Sequence, residues 1–161
     1  MVDIRKKFIE TLQKWGHYVI YIRRDLRFRC PCFIERSGEA SEHCPKCFGT
    51  GYRVTIEKHL TRQHPNSVPL SLSGLDRSTP YGNIVPNANV YYFDYTVEPK
   101  SGDLIIEVDW NGDTPMNIKF KQLISLSEPK YGQQGRVEYY SCYAKFTPKG
   151  DNDHVTSIPE H

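Results

Sequence analysis

Four of the chain's five cysteines fall between positions 30 and 47, as Cys30-Pro31-Cys32 and Cys44-Pro45-Lys46-Cys47, in a stretch with little else to bury. Such a segment cannot fold around an apolar core, so its order has to come through the sulfurs. In extended chain, residues two apart project to the same side, and Pro31 keeps its neighbours extended. In the second half the two cysteines sit where a tight turn aims backbone amides at sulfur. Gly49 and Gly51 just beyond supply the positive φ and close approach that such a turn needs. The eleven residues between the pairs are enough to fold back and close a tetrahedral four-thiolate site. The expected ion is Zn2+, bound by Cys30, Cys32, Cys44 and Cys47. Four thiolates leave no position for water, so its role would be structural rather than catalytic. Sites of this kind contribute about 10–16 kcal/mol of apparent binding energy to the folding of small zinc peptides.

Other readings of the same residues stay open. His43, next to Cys44, is an alternative fourth ligand, and four reduced, metal-free cysteines are the plain alternative. A reactive dithiol would need a strand–CxxC–helix context that this segment lacks. Cys142, between Tyr140-Ser141 and Tyr143, reads as a sheet residue.

The 161 residues suffice for one domain with a core, and 11 Tyr and 7 Phe favour half-buried strands over a helical bundle. The formal net charge of +2 demands no polyanionic partner. The sign is uneven, however: Arg5, Lys6, Lys7, Lys14, Arg23, Arg24, Arg27, Arg29 and Arg36 face only Asp3, Glu10, Asp25 and Glu35 in the first part of the chain. With Tyr18, Tyr21 and Phe28 nearby, that region could hold a nucleic-acid backbone, or it could face acidic proteins or offset the thiolate charge. No stretch approaches the roughly 20 apolar residues of a membrane span. No signal sequence is visible either, so a reducing cytosol is the expected folding compartment, and cysteines there favour metal over disulfides.

Catalytic residues are not expected. The sequence has no Walker phosphate loop, HExxH or GxSxG. Asp103, Glu107 and Asp109 gather acids, but the last two read as the solvated face of a strand. A carboxylate metal site there is the alternative. His59 and His64 read as surface histidines.

The fold class expected is α+β, with an N-terminal helix, a zinc-stapled loop and a C-terminal antiparallel β-barrel or sandwich. Residues 3 to 15 read as an amphipathic helix capped by Asp3, with Ile4, Phe8, Leu12 and Trp15 on one face and Gly16 ending it. Tyr18 to Arg23 and Tyr52 to Ile56 read as strands either side of the cysteines. These elements make residues 1–60 one unit. Residues 61–89, with Pro65, Pro69, Pro80 and Pro86 among Ser, Gly and Asn, read as an arm, binding loop or linker. Residues 90–148 read as an antiparallel β domain with strands over Val90 to Thr96, Asp103 to Trp110, Ile118 to Ser127 and Arg136 to Phe146. Asn111-Gly112 is its strongest hairpin signal. Residues 149–161, including Asp151, Asn152, Asp153 and His154, form a polar tail.

The run from Arg29-Cys30-Pro31-Cys32 to Cys44-Pro45-Lys46-Cys47-Phe48-Gly49-Thr50-Gly51-Tyr52 resembles a zinc-binding segment of small virion proteins of tailed bacteriophages. These act in the neck or head-completion region between portal and tail. Asp103-Leu104-Ile105-Ile106-Glu107-Val108 and Gly135-Arg136-Val137-Glu138-Tyr139-Tyr140 look like the β-rich body of the same group. Together the matching stretches cover roughly residues 26 to 56 and 100 to 146. CxxCxGxG is also found in J-domain co-chaperones, but repeated, whereas here one copy is paired with CxC. The phage resemblance implies a non-enzymatic, multi-copy ring protein of the virion, assembled in the host cytoplasm. Its partners would be copies of itself and portal, neck or tail proteins, with possible contact to packaged DNA and none to membrane. Residues 61–89 would be an arm laid over a neighbouring subunit. A zinc-ribbon-like nucleic-acid-binding module of the cytosol is the alternative function.

Overall fold

Helix α1 (Ile4–Trp15) begins where Asp3 accepts a hydrogen bond from the Arg5 backbone N–H at 3.2 Å. It ends at Gly16, whose N–H donates to the Leu12 carbonyl at 2.7 Å. A side chain at Gly16 would put a Cβ 2.4 Å from that carbonyl oxygen and 2.8 Å from that of Thr61, so only glycine fits the close approach to the neighbouring strand. The expected apolar stripe is only partly buried. Leu12 is inside and Phe8 stacks on Tyr139 at 4.6 Å, but Ile4 is 43% and Trp15 63% exposed. Polar contacts do part of the fastening: Arg5 donates to the Val137 carbonyl, pairs with Glu138 and lies 3.8 Å over the Tyr95 ring.

The computed structural model describes residues 2–65, 78–79, 82–83 and 88–146. The chain is mostly antiparallel β-sheet, built from β1 (His17–Arg29), β2 (Tyr52–Pro65), β5 (Ala88–Asp94), β6 (Leu104–Asn111), β7 (Thr114–Tyr131) and β8 (Val137–Phe146). Two-residue strands β3 (Ser78–Thr79) and β4 (Gly82–Asn83) pair with each other. The large sheet runs β1-β2-β5-β8-β7-β6, and β6 also pairs with β1 through Ile20–Ile106 and Ile22–Leu104. Each of the six strands therefore has a ladder on both sides over part of its length, which shelters backbone groups that a sheet edge would expose.

Two features differ from the sequence reading. The strands β1 and β2, grouped there with the cysteine segment, pair into the same sheet as β5 to β8. Strand β2 also runs past Ile56 to Pro65, and the Arg62–Tyr92 to Pro65–Asn89 ladder draws both ends of the 61–89 segment into the sheet. The middle of that segment lies outside the described residues apart from the β3–β4 ladder, and so does the 149–161 tail.

The buried residues form two main clusters. One contains Val19, Tyr21, Tyr91, Phe93, Val97, Ile105, Ile124, Cys142 and Ala144. The second contains Ile22, Leu104, Ile106 and Val108, with Ile20, Phe48, Val54, Trp110 and Leu123 packed against it. Neighbours on β6 go to different clusters, so this strand is covered on both faces. Covering both faces corrects the expected solvated acidic face. Glu107 is buried, 2.8 Å from the His17 ring nitrogen, and accepts from the Tyr91 hydroxyl at 3.1 Å. Only Asp109 reaches solvent, where it pairs with Lys119. Asp103 is also inside, accepting from the Tyr21 hydroxyl at 2.6 Å and the Arg24 N–H at 3.0 Å. His59, expected on the surface, is half-buried, bonded to Glu57 and edge-on to Tyr21 and Phe93.

Candidate metal centre

Residues 30–51 leave the sheet at the end of β1 and return at the start of β2. The two ends are tied by the Cys30 N–H donating to the Gly51 carbonyl at 2.9 Å. A one-rung turn follows the first cysteine pair, with Ile34 bridging Glu39 and Gly38 at φ 71°. The chain then returns through Cys44, whose carbonyl accepts from the Phe48 N–H, and Cys47, whose carbonyl accepts from Thr50. Past Cys47 the backbone turns left-handed at Phe48 (φ 54°), Gly49 (φ 86°) and Gly51 (φ 76°). Phe48 carries the strain of a side chain there. At Gly51 a Cβ would also press on Phe33 and Ala40, at 3.1 and 3.2 Å, so both glycines serve the turn that the sequence suggested.

The four sulfurs of Cys30, Cys32, Cys44 and Cys47 all lie within 4.8 Å of one another. Cys30 and Cys44 are 3.8 Å apart and Cys32 and Cys47 3.4 Å, and all are free thiols. A tetrahedral ion with metal–sulfur bonds near 2.3 Å places its sulfurs about 3.8 Å apart, so the cluster is of a size that could hold a metal ion. Cys30, Cys44 and Cys47 are buried, with Cys32 packed against them. Among the described residues no other group of His, Cys, Asp and Glu side chains is close enough to do the same. His43 stands outside the group and lines a groove beside Cys44 with Pro45, Phe48 and Ile118.

Backbone dipoles favour thiolate within the cluster. The Lys46 and then the Cys47 amide hold the Cys44 thiol down to about 6. Burial, with the neighbouring thiols, pushes Cys32 up to about 12, so the four sulfurs do not share one environment. A bound cation would favour all four thiolates together.

The sequence did not show how the loop is seated. Phe48 covers the second apolar cluster, and the Lys121 ammonium donates to the Phe48 carbonyl at 3.1 Å. The Arg29 guanidinium rests over Phe33 and Tyr52, 4.1 and 4.4 Å from the ring centres. An aromatic inside a CxxCxGTG run is the signal that could have marked Phe48 as an anchor. Nothing local in the sequence marks Lys121. Of the aromatics suggested for nucleic acid, Tyr21 is buried and Tyr18 lies under Lys58, 4.4 Å away, leaving Phe28 near the loop. Cys142 is buried in β8 beside Ser127.

No protein-family model matches the chain, and no curated protein is similar enough to it to carry an argument. No helix among the described residues is long and apolar enough to cross a membrane.

Proposed function

We propose that Cys30, Cys32, Cys44 and Cys47 bind one zinc ion as a structural staple. We further propose that the protein is a non-enzymatic assembly component of a tailed-phage virion, acting in head completion or head–tail connection as a ring of copies. The observation that carries the zinc reading is four free thiols within 4.8 Å of one another in a segment with no other core. An all-sulfur donor set suits Zn2+ and leaves no open position for chemistry. The assembly role rests on the resemblance of the Cys30–Tyr52 run to phage neck proteins. The sheet, with its ladders running back to β1, reads as a small barrel that would give the staple a rigid base.

Two measurements test these claims separately. Native mass spectrometry of the purified chain should give one zinc per chain. Zinc-free protein with all four cysteines freely alkylated would sink the staple. For the assembly role, electron microscopy and a protein inventory of the particles should find the chain in rings or in virions alongside portal and tail proteins. A monomer absent from purified virions would remove that role and leave the staple standing.

A further inference from the structure

Phe28, Arg29 and Arg53, at the end of the β1–β2 hairpin beside the cysteine loop, form an exposed surface on which neither guanidinium has a hydrogen-bonded partner among the described residues. Successive rungs of this ladder are Asp25–Arg53 and Arg29–Tyr52, so Leu26, Arg27 and Phe28 bulge out of β1 with no residue opposite them. Leu26 is 62% and Phe28 50% exposed, which does nothing for the stability of the sheet. Bulges re-aim side chains, and here the bulge turns an aromatic ring outward between arginines.

The guanidiniums divide into two groups. Arg24 donates to the Ser101 carbonyl and pairs with Asp103, and Arg27 is held by both Asp25 oxygens at 2.9 Å. Arg29 and Arg53 have no hydrogen-bonded acceptor among the described residues, although the Arg53 charge reaches the Asp25 carboxylate opposite it. Arg29 is positioned over Phe33 and Tyr52, and Arg53 lies 5.9 Å from the centre of the Phe28 ring. A guanidinium resting on a ring keeps its edge donors for a ligand, and that planar fork fits phosphate oxygens.

We propose that this surface binds single-stranded nucleic acid, with Arg29 and Arg53 on the phosphates and Phe28 stacked on a base. Duplex hides the base faces, so it would use the arginines and leave the ring unused. An acidic peptide would likewise gain nothing from the ring. The claim goes beyond the assembly role and does not depend on it, because a neck component that never touches nucleic acid would still form rings.

The test is fluorescence anisotropy of the zinc-loaded full chain with labelled oligothymidylate, a duplex of equal length and oligoglutamate, across a salt series. Oligothymidylate should bind tightest. Arg29→Ala and Arg53→Ala should each reduce the slope of log K against log salt by about 0.7. Phe28→Ala should weaken binding at least about fivefold with the slope unchanged. Zinc content and circular dichroism of each variant check that it folds, and Arg29→Lys is a milder second variant that should keep the salt slope. The proposal is overturned if oligothymidylate does not bind. It is equally overturned if duplex binds as tightly and Phe28→Ala has no effect, or if oligoglutamate binds as well, which would mark an acidic protein partner.

Discussion

In the sheet, Val19, Tyr21, Tyr91, Phe93, Ile105 and Ile124 come from four strands and share one apolar cluster. Between residues 30 and 51 the buried side chains are Cys30, Cys44 and Cys47. Order in the sheet is therefore spread over many contacts, each contributing a little. Order in the loop is concentrated on one point where four sulfurs meet. Damage to the first should be graded and damage to the second all-or-none, even though Phe48 presses the two together.

The largest effect should come from the loop. Cys44→Ser should abolish metal binding and with it the binding energy, about 10–16 kcal/mol in small zinc peptides, that holds the loop in order. Hydrogen exchange should then show residues 30–51 unprotected while the β5–β8 amides stay protected. If the whole chain loses protection together, the contrast between the regions is wrong and the loop is integral to the core.

A sheet substitution should be milder. Ile105→Ala should cost about 2–5 kcal/mol, read from denaturant unfolding, with one zinc per chain retained. Loss of zinc at the same denaturant concentration as loss of the sheet would again merge the two regions.

The smallest effect separates the lone cysteine from the cluster. Burial pushes Cys142 up to about 12, with Ser127 acting against the shift and Asp103 adding to it. Its neutral thiol favours the fold, so that contribution is whole below the ordinary thiol value near 8.5 and is lost as pH climbs towards about 12. Stability should fall less steeply over that window in Cys142→Ala than in the wild type. Part of the remaining slope belongs to the buried hydroxyls of Tyr21 and Tyr91, which are also raised by burial. At pH 8 and with chelator present, native alkylation should modify four cysteines and spare Cys142. Five modified cysteines would show that the interior is open.

These contrasts follow what could be read along the chain. The cysteine spacing, the Asp3 cap and the Asn111-Gly112 hairpin are local signals, and each is present in the structure. What depended on distant partners was not legible. Thr61-Arg62-Gln63-His64 has no apolar alternation, yet it is strand because β5 pairs with it. Glu107 reads as solvated because its partners, His17 and Tyr91, are far away in sequence. Tyr21 looked available to a ligand until Asp103 accounted for its hydroxyl.

The way the cysteine loop is joined to the sheet has a consequence for its ancestry and its reuse. The loop departs and re-enters at adjoining rungs, with Arg29 opposite Tyr52 and Cys30 bonded to Gly51. A short turn could join β1 to β2 at that point without changing the order of the strands. The loop is thus an insertion in form, a cassette closed on itself by its four clustered cysteines and hung from a hairpin. It could be transplanted to another hairpin of like register, or redesigned in place, with the sheet beneath keeping its connectivity.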